Sequence, residues 1–116
     1  MILAIVDDLL FRSKLEATAA HLGAPLTIAR DAGPALRPGS QWSRVIIDLD
    51  LSSGDPLEII RALRTAHPQV DVIGYYSHVR HDLAQQAREA GCTDTLPRSV
   101  FVQQLPELLT CRMTPS

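Results

Sequence analysis

Lysine is almost missing from this sequence: Lys14 stands alone, and the other ten cations are arginines scattered along the chain among thirteen acidic residues, for a formal net charge of -2. No basic stripe exists to follow a phosphate backbone, which argues against nucleic-acid binding. Cysteine is equally scarce. Cys92 and Cys111 are the only two and lack C-x-x-C spacing, so disulfide and zinc frameworks are excluded and both read as packing thiols. No apolar run approaches the eighteen or so residues of a membrane span, and Met1 to Val6 has neither a basic leader nor an h-region of signal-peptide length. The expectation is a cytoplasmic protein with no membrane partner. Neither G-x-G-x-x-G nor a P-loop appears, which leaves dinucleotide and nucleotide-triphosphate binding unsupported.

What is there is ordinary globular composition, 46% hydrophobic and 21% charged over 116 residues, enough for one core and too little for two. Residues 1–116 are expected to form a single domain without an output domain. Ile2 to Val6 is an unbroken apolar run, as in a strand covered on both faces. From Leu10 to Leu22, Phe11, Leu15, Ala19 and Leu22 recur at helical spacing, and Gly23 follows at the C-cap. Leu26 to Ile28 reads as a second strand. Asp31 to Leu36, broken by Gly33, Pro34 and Pro38, leaves the second helix stunted or absent.

Val45 to Ile47 is a third strand, and Asp55-Pro56 supplies an N-cap and N1 pair for a helix through about Ala66. Val70 to Tyr75 is a fourth strand, Asp82 to Ala90 a helix stopped by Gly91, and Thr93 to Leu96 a fifth strand. Ser99 is expected to cap a last helix carrying Phe101, Leu105 and Leu108, which Pro106 kinks or restarts. Such alternation predicts a doubly wound, five-stranded parallel α/β sheet in the order 2-1-3-4-5.

In these sheets ligands gather beyond the carboxyl ends of the strands, where strand order reverses. Asp7 and Asp8 end the first strand and Asp48 the third, so three carboxylates are expected around one pocket. Two carboxylates about 4 Å apart repel by roughly 4 kcal/mol at an effective dielectric near 20, so such a group calls for protonation or a cation. Mg2+, which takes oxygen ligands and phosphate oxygens together, suits it, and one carboxylate could then attack phosphorus to give an aspartyl phosphate.

Residue by residue, the chain resembles the receiver domain of two-component response regulators over nearly its whole length. Ile5-Val6-Asp7-Asp8 is similar to the family's acidic pair, and Val45 to Leu51 to its phosphoacceptor strand; Ala90-Gly91 and Leu96-Pro97-Arg98 resemble the end of the domain. The resemblance implies a flavodoxin-like fold with a shortened second helix, Asp48 as phosphoacceptor, and Asp7, Asp8, Asp48 and Asp50 (through its carbonyl) around Mg2+. It also implies a histidine kinase or phosphotransfer protein as donor. A downstream protein would dock on helix four, strand five and helix five, and chemistry would be limited to self-phosphorylation and self-dephosphorylation.

The departures fall on the switching parts. Arg98 replaces the family's lysine and Thr95 its aromatic residue, while Ser99 stands where proline follows the lysine. The hydroxyl residue ending strand four aligns with Tyr76, and a one-residue bulge would give Ser77 the role. Gly74 to Val79 and Leu96 to Ser99 resemble a divergent group of lone receiver-like proteins. The altered positions favour an alternative, a pseudo-receiver acting as a phosphorylation-independent interaction module. Asp48 to Ser52 also resembles the opening of haloacid-dehalogenase-type phosphatases, but there the acidic ligands follow the motif and here the acidic pair precedes it. His78 and His81 lack a third metal ligand, and Trp42 and Tyr75 read as packing residues.

Overall fold

The computed structural model describes residues 2–51, 54–77 and 81–110, with the backbone alone described at His81. Five strands alternate with five helices: β1 (Ile2–Ile5), α1 (Leu9–Leu22), β2 (Leu26–Ala29), α2 (Gly33–Leu36), β3 (Arg44–Asp48), α3 (Pro56–Ala66), β4 (Asp71–Tyr76), α4 (His81–Ala90), β5 (Asp94–Pro97) and α5 (Arg98–Leu109). The strands form one parallel sheet in the order β2-β1-β3-β4-β5, as the alternation of apolar runs and amphipathic helices implies. No helix among the described residues is long and apolar enough to cross a membrane.

Because successive strand residues point to opposite faces, each strand feeds two cores. Leu3, Ile5, Val45, Ile47, Val72 and Tyr76 pack with Ile60 and Leu63 of α3 and with Leu83 and Ala87 of α4. Ile2, Ala4, Ile46, Ile73 and Tyr75 pack with Phe11 and Leu15 of α1 and with Phe101 and Leu105 of α5. β1 and β3 are buried throughout, which is why they read as continuous apolar runs. Gly74 lies on the α3–α4 face, where a Cβ would come within 3.0 Å of Leu49 and 3.1 Å of Cys92, so a larger residue would push both side chains back.

Local chemistry sets the helix ends. Asp8 accepts from the N–H groups of Leu10 and Phe11 at the start of α1, and Gly23 closes that helix in the left-handed region at φ 65°. Asp55 caps α3 through the Leu57 N–H. The second helix is stunted: α2 is four residues long, entered through an Asp31 turn in which Oδ1 accepts from the Gly33 N–H at 2.8 Å. The last helix departs from expectation. Ser99 does not cap it; Pro97 stands at the cap position and makes no side-chain cap bond, because β5 runs straight into Arg98. Pro106 neither ends nor restarts α5, which continues through it to Leu109.

Two arginines with no sequence signal close the far side of the fold. Arg44, buried, pairs with Asp71 at 2.9 Å and donates to the Leu108 carbonyl at 2.7 Å, tying β3 and β4 to the end of α5. Arg64 reaches from α3 to the carbonyls of Pro68 and Val70, both 2.8 Å, and of Gly91, 2.7 Å. Charged hydrogen bonds are worth more than neutral ones, and a methionine of similar length would leave these carbonyls without their donor. Arg64→Met is therefore expected to cost about 2 kcal/mol in urea unfolding; an unchanged midpoint would show that the arginine only decorates the surface.

Candidate functional site

The carboxyl ends of β1 and β3 bring Asp7, Asp8 and Asp48 to one end of the sheet, with Asp50 just beyond β3 and Arg98 at the start of α5. Asp48 is the most enclosed of the acids, 7% exposed. Its Oδ1 accepts from the Asp50 N–H at 2.8 Å. Burial raises its pKa above the ordinary aspartate range. The Asp50 N–H and the Arg98 charge pull it down again, while the carboxylates of Asp50 and Asp7 push it up. Asp7 is half-buried on the same rim.

Asp8 has a different task. Besides capping α1 it takes an Arg98 guanidinium N–H on Oδ2 at 3.0 Å. That bond, followed by the N-terminal N–H of Phe11, holds its carboxyl below the usual range. The pair is about one-third exposed on each side, so it is worth at most about 1 kcal/mol and opens at small cost. Arg98 also lies over the Phe11 ring, 4.5 Å from its centroid.

Three hydroxyls compete for the end of β4, and the structure sends them in different directions. Ser77 binds Asp50: its backbone N–H and its Oγ both meet Asp50 Oδ2 at 2.8 Å, linking the loops after β3 and β4. Tyr76 lies in the α3–α4 core at 7% exposed, on the face away from α1 and α5. Tyr75, read from sequence as a packing residue, lies in register with Asp48 on the neighbouring strand. Its ring stacks on Phe101 at 4.5 Å and tilts against Phe11 at 4.9 Å. Burial first and the Asp48 charge second raise its pKa, so the phenol keeps its proton.

Sequence reasoning thus missed the tie of Asp50 to Ser77 and the approach of Tyr75. The second had a signal in strand parity, since Asp48 shares a face with Ile46, and Tyr75 with Ile73, on the α1–α5 side. Thr95 is buried in β5, and the Cys92 thiol, pushed up to about 12 by burial, is inert packing as expected. Ser52, His78 and Cys111 lie outside the described residues.

Among the described residues no group of three or more carboxylate, imidazole or thiolate side chains already surrounds one point. The donor chemistry nevertheless suits a hard divalent cation. Asp48 is buried beside two further carboxylates, and Arg98, the cation acting on it, is bonded to Asp8. The same balance sets a pH dependence. The folded chain holds the Asp48 proton more tightly than the unfolded chain. Stability should therefore fall as pH rises from the ordinary value of 3.8 through the raised folded value. Asp48→Asn is expected to raise the melting temperature at pH 7, with the gain vanishing below the carboxylate range. A gain that persists at pH 3, or a loss at pH 7, would contradict a charge origin.

The sequence matches no family model and no curated protein. Solved structures do match. A response regulator from Hahella chejuensis superposes with a TM-score of 0.82 at 17% identity, over 98% of this chain and 95% of that one. A Burkholderia pseudomallei response regulator, solved with a phosphorylated aspartic acid, a calcium ion and citrate, gives 0.73 at 20%, over 92% of this chain and 69% of that one. The Saccharomyces cerevisiae complex of the histidine phosphotransfer protein Ypd1 with the receiver domain of Ssk1 gives 0.78 at 16%, over 94% and 85%. The likeness is one of architecture, and it identifies the fold of this chain as that of the response-regulator receiver domains.

Proposed function

We propose that this chain is a receiver domain of a two-component phosphorelay that accepts a phosphoryl group on Asp48 with the aid of Mg2+. The observation that carries the reading is the Asp48 carboxylate itself. It is buried at the end of the central strand, where it feels the charges of Asp50, Arg98 and Asp7. A group placed there for packing alone would not be a carboxylate, because desolvation and the charges of Asp50 and Asp7 outweigh what favours its ionisation.

The step is a transfer from a phosphohistidine of a kinase or phosphotransfer protein. The P–N bond to the donor imidazole breaks, a P–O bond to Asp48 forms, and the imidazole leaves with its electron pair and takes a proton. With Oδ1 tied to the Asp50 N–H, Oδ2 is the nucleophile. Asp7 and Asp48, joined by Asp8 when Arg98 releases it and by the Asp50 carbonyl, would hold the Mg2+. The ion's contribution when bound is to neutralise the incoming phosphoryl oxygens. Arg98 can swing from Asp8 to the phosphoryl group, since their pair is weak and exposed. The donor would be a histidine kinase or a histidine phosphotransfer protein of the kind seen with the yeast receiver. A downstream partner would meet α4, β5 and α5.

A second reading, a phosphorylation-independent interaction module, is favoured by the Ser77 hydroxyl, which is bonded to Asp50 instead of facing Asp48. In that case partner binding survives Asp48→Ala.

Incubation with acetyl phosphate and Mg2+ should add the mass of one phosphoryl group. The adduct should be lost to hydroxylamine, and absent with a chelator or in Asp48→Asn. A well-folded wild-type sample that takes no label, or a variant that takes as much, would rule the phosphoacceptor reading out.

A further inference from the structure

We infer that Tyr75 is a positioning residue for Asp48, its buried phenol supplying the hydroxyl that neither Tyr76 nor Ser77 turns toward that carboxylate. The placement follows from the sheet. In a parallel ladder, residues in register send their side chains to the same face, and Asp48 and Tyr75 are register partners on β3 and β4. The hydroxyl is then carried toward the carboxyl end of the strands, where Asp48, Asp8 and Arg98 are the charges it feels.

The ring has little freedom. It is 1% exposed, stacked on Phe101 with an interplanar angle of 15° and tilted at 35° against Phe11. Phe11 and Phe101 are themselves 5.8 Å apart, so the three rings form one shelf under the pocket, with Arg98 above Phe11. Among the described residues no group closes a hydrogen bond of good geometry to the Tyr75 hydroxyl. A phenylalanine would fill the same shelf without burying an unpaired donor, and buried hydroxyls persist where an acceptor can be reached. Asp48, the register partner on β3, is the acceptor that the placement assigns.

Donation from Tyr75 would fix the plane of the Asp48 carboxylate together with the Asp50 N–H, one donor from each side of the strand end. The remaining lone pairs are then aimed at the incoming phosphorus. This deepens the phosphoacceptor reading and rests on it, since orienting Asp48 matters to function only if Asp48 reacts.

The test uses the whole chain labelled with tyrosine carrying 13C at Cζ. There are two tyrosines, hence two signals, assigned by Tyr75→Phe and Tyr76→Phe. Donation to a charged carboxylate moves Cζ downfield, so Asp48→Asn should shift the Tyr75 signal upfield and leave that of Tyr76 in place. Tyr75→Phe should also slow acetyl phosphate labelling several-fold without lowering the melting temperature. An unmoved Tyr75 signal in Asp48→Asn overturns the inference, as does an unchanged labelling rate in Tyr75→Phe. If the wild type takes no phosphoryl group, the phosphoacceptor reading falls and the role for Tyr75 in orienting a reactive group falls with it; the Cζ signal, which needs no donor, still decides whether the hydrogen bond exists.

Discussion

A carboxylate buried at the end of a central parallel strand is the constraint from which this molecule is organised. β3 is covered on both faces, so Asp48 emerges from a wall of apolar side chains and meets little water. Its ionisation is opposed by that burial and by Asp7 and Asp50, and relieved by the Asp50 N–H and Arg98. The neighbouring contacts then follow as charge balance. Asp50 turns its side chain to Ser77, Asp8 is drawn to Arg98 and the first turn of α1, and the loops after β3 and β4 are joined in the process. At Asp48 burial and the neighbouring carboxylates outweigh the N–H and the guanidinium, a balance that an added divalent cation would relieve.

The same sheet separates two environments one residue apart. Tyr76 points into the core shared by α3 and α4, and Tyr75 into the aromatic shelf of α1 and α5. Of the two phenols, the one on the Asp48 side of the sheet is held between aromatic rings. Any signal leaving Asp48 through Tyr75 would arrive at Phe101, on the helix that follows Arg98, by direct ring contact. The site and α5 are thus joined twice, through the guanidinium above and through the rings below.

Much of this was legible in the sequence because it rests on local chemistry. Continuous apolar runs mark β1 and β3 since both of their faces are buried, and acids directly after those runs fall at the carboxyl edge whatever the loops do. Asp8, Asp55 and Gly23 act on backbone groups within a few residues, so their roles could be read in place. Contacts over long sequence separations could not. Nothing near Arg64 indicates that it will meet Gly91, nor near Ser77 that it will meet Asp50, because those partners are chosen by the packing of whole elements. Ser99 failed as a cap for a related reason: β5 and α5 join without a loop, so the residue with the right chemistry is already inside the helix. Tyr75 was assigned to packing because it does pack, and its hydroxyl gains meaning only once its register partner is known to be Asp48.

Whether the Asp48 pocket is chemically competent can be read without a cognate kinase by amide NMR with magnesium and beryllofluoride, a stable mimic of an aspartyl phosphate. A competent pocket gives saturable shifts at the ends of β1 and β3 and around Arg98, dependent on magnesium and absent in Asp48→Asn. A well-folded protein whose spectrum does not change, or changes equally in the variant, would contradict it.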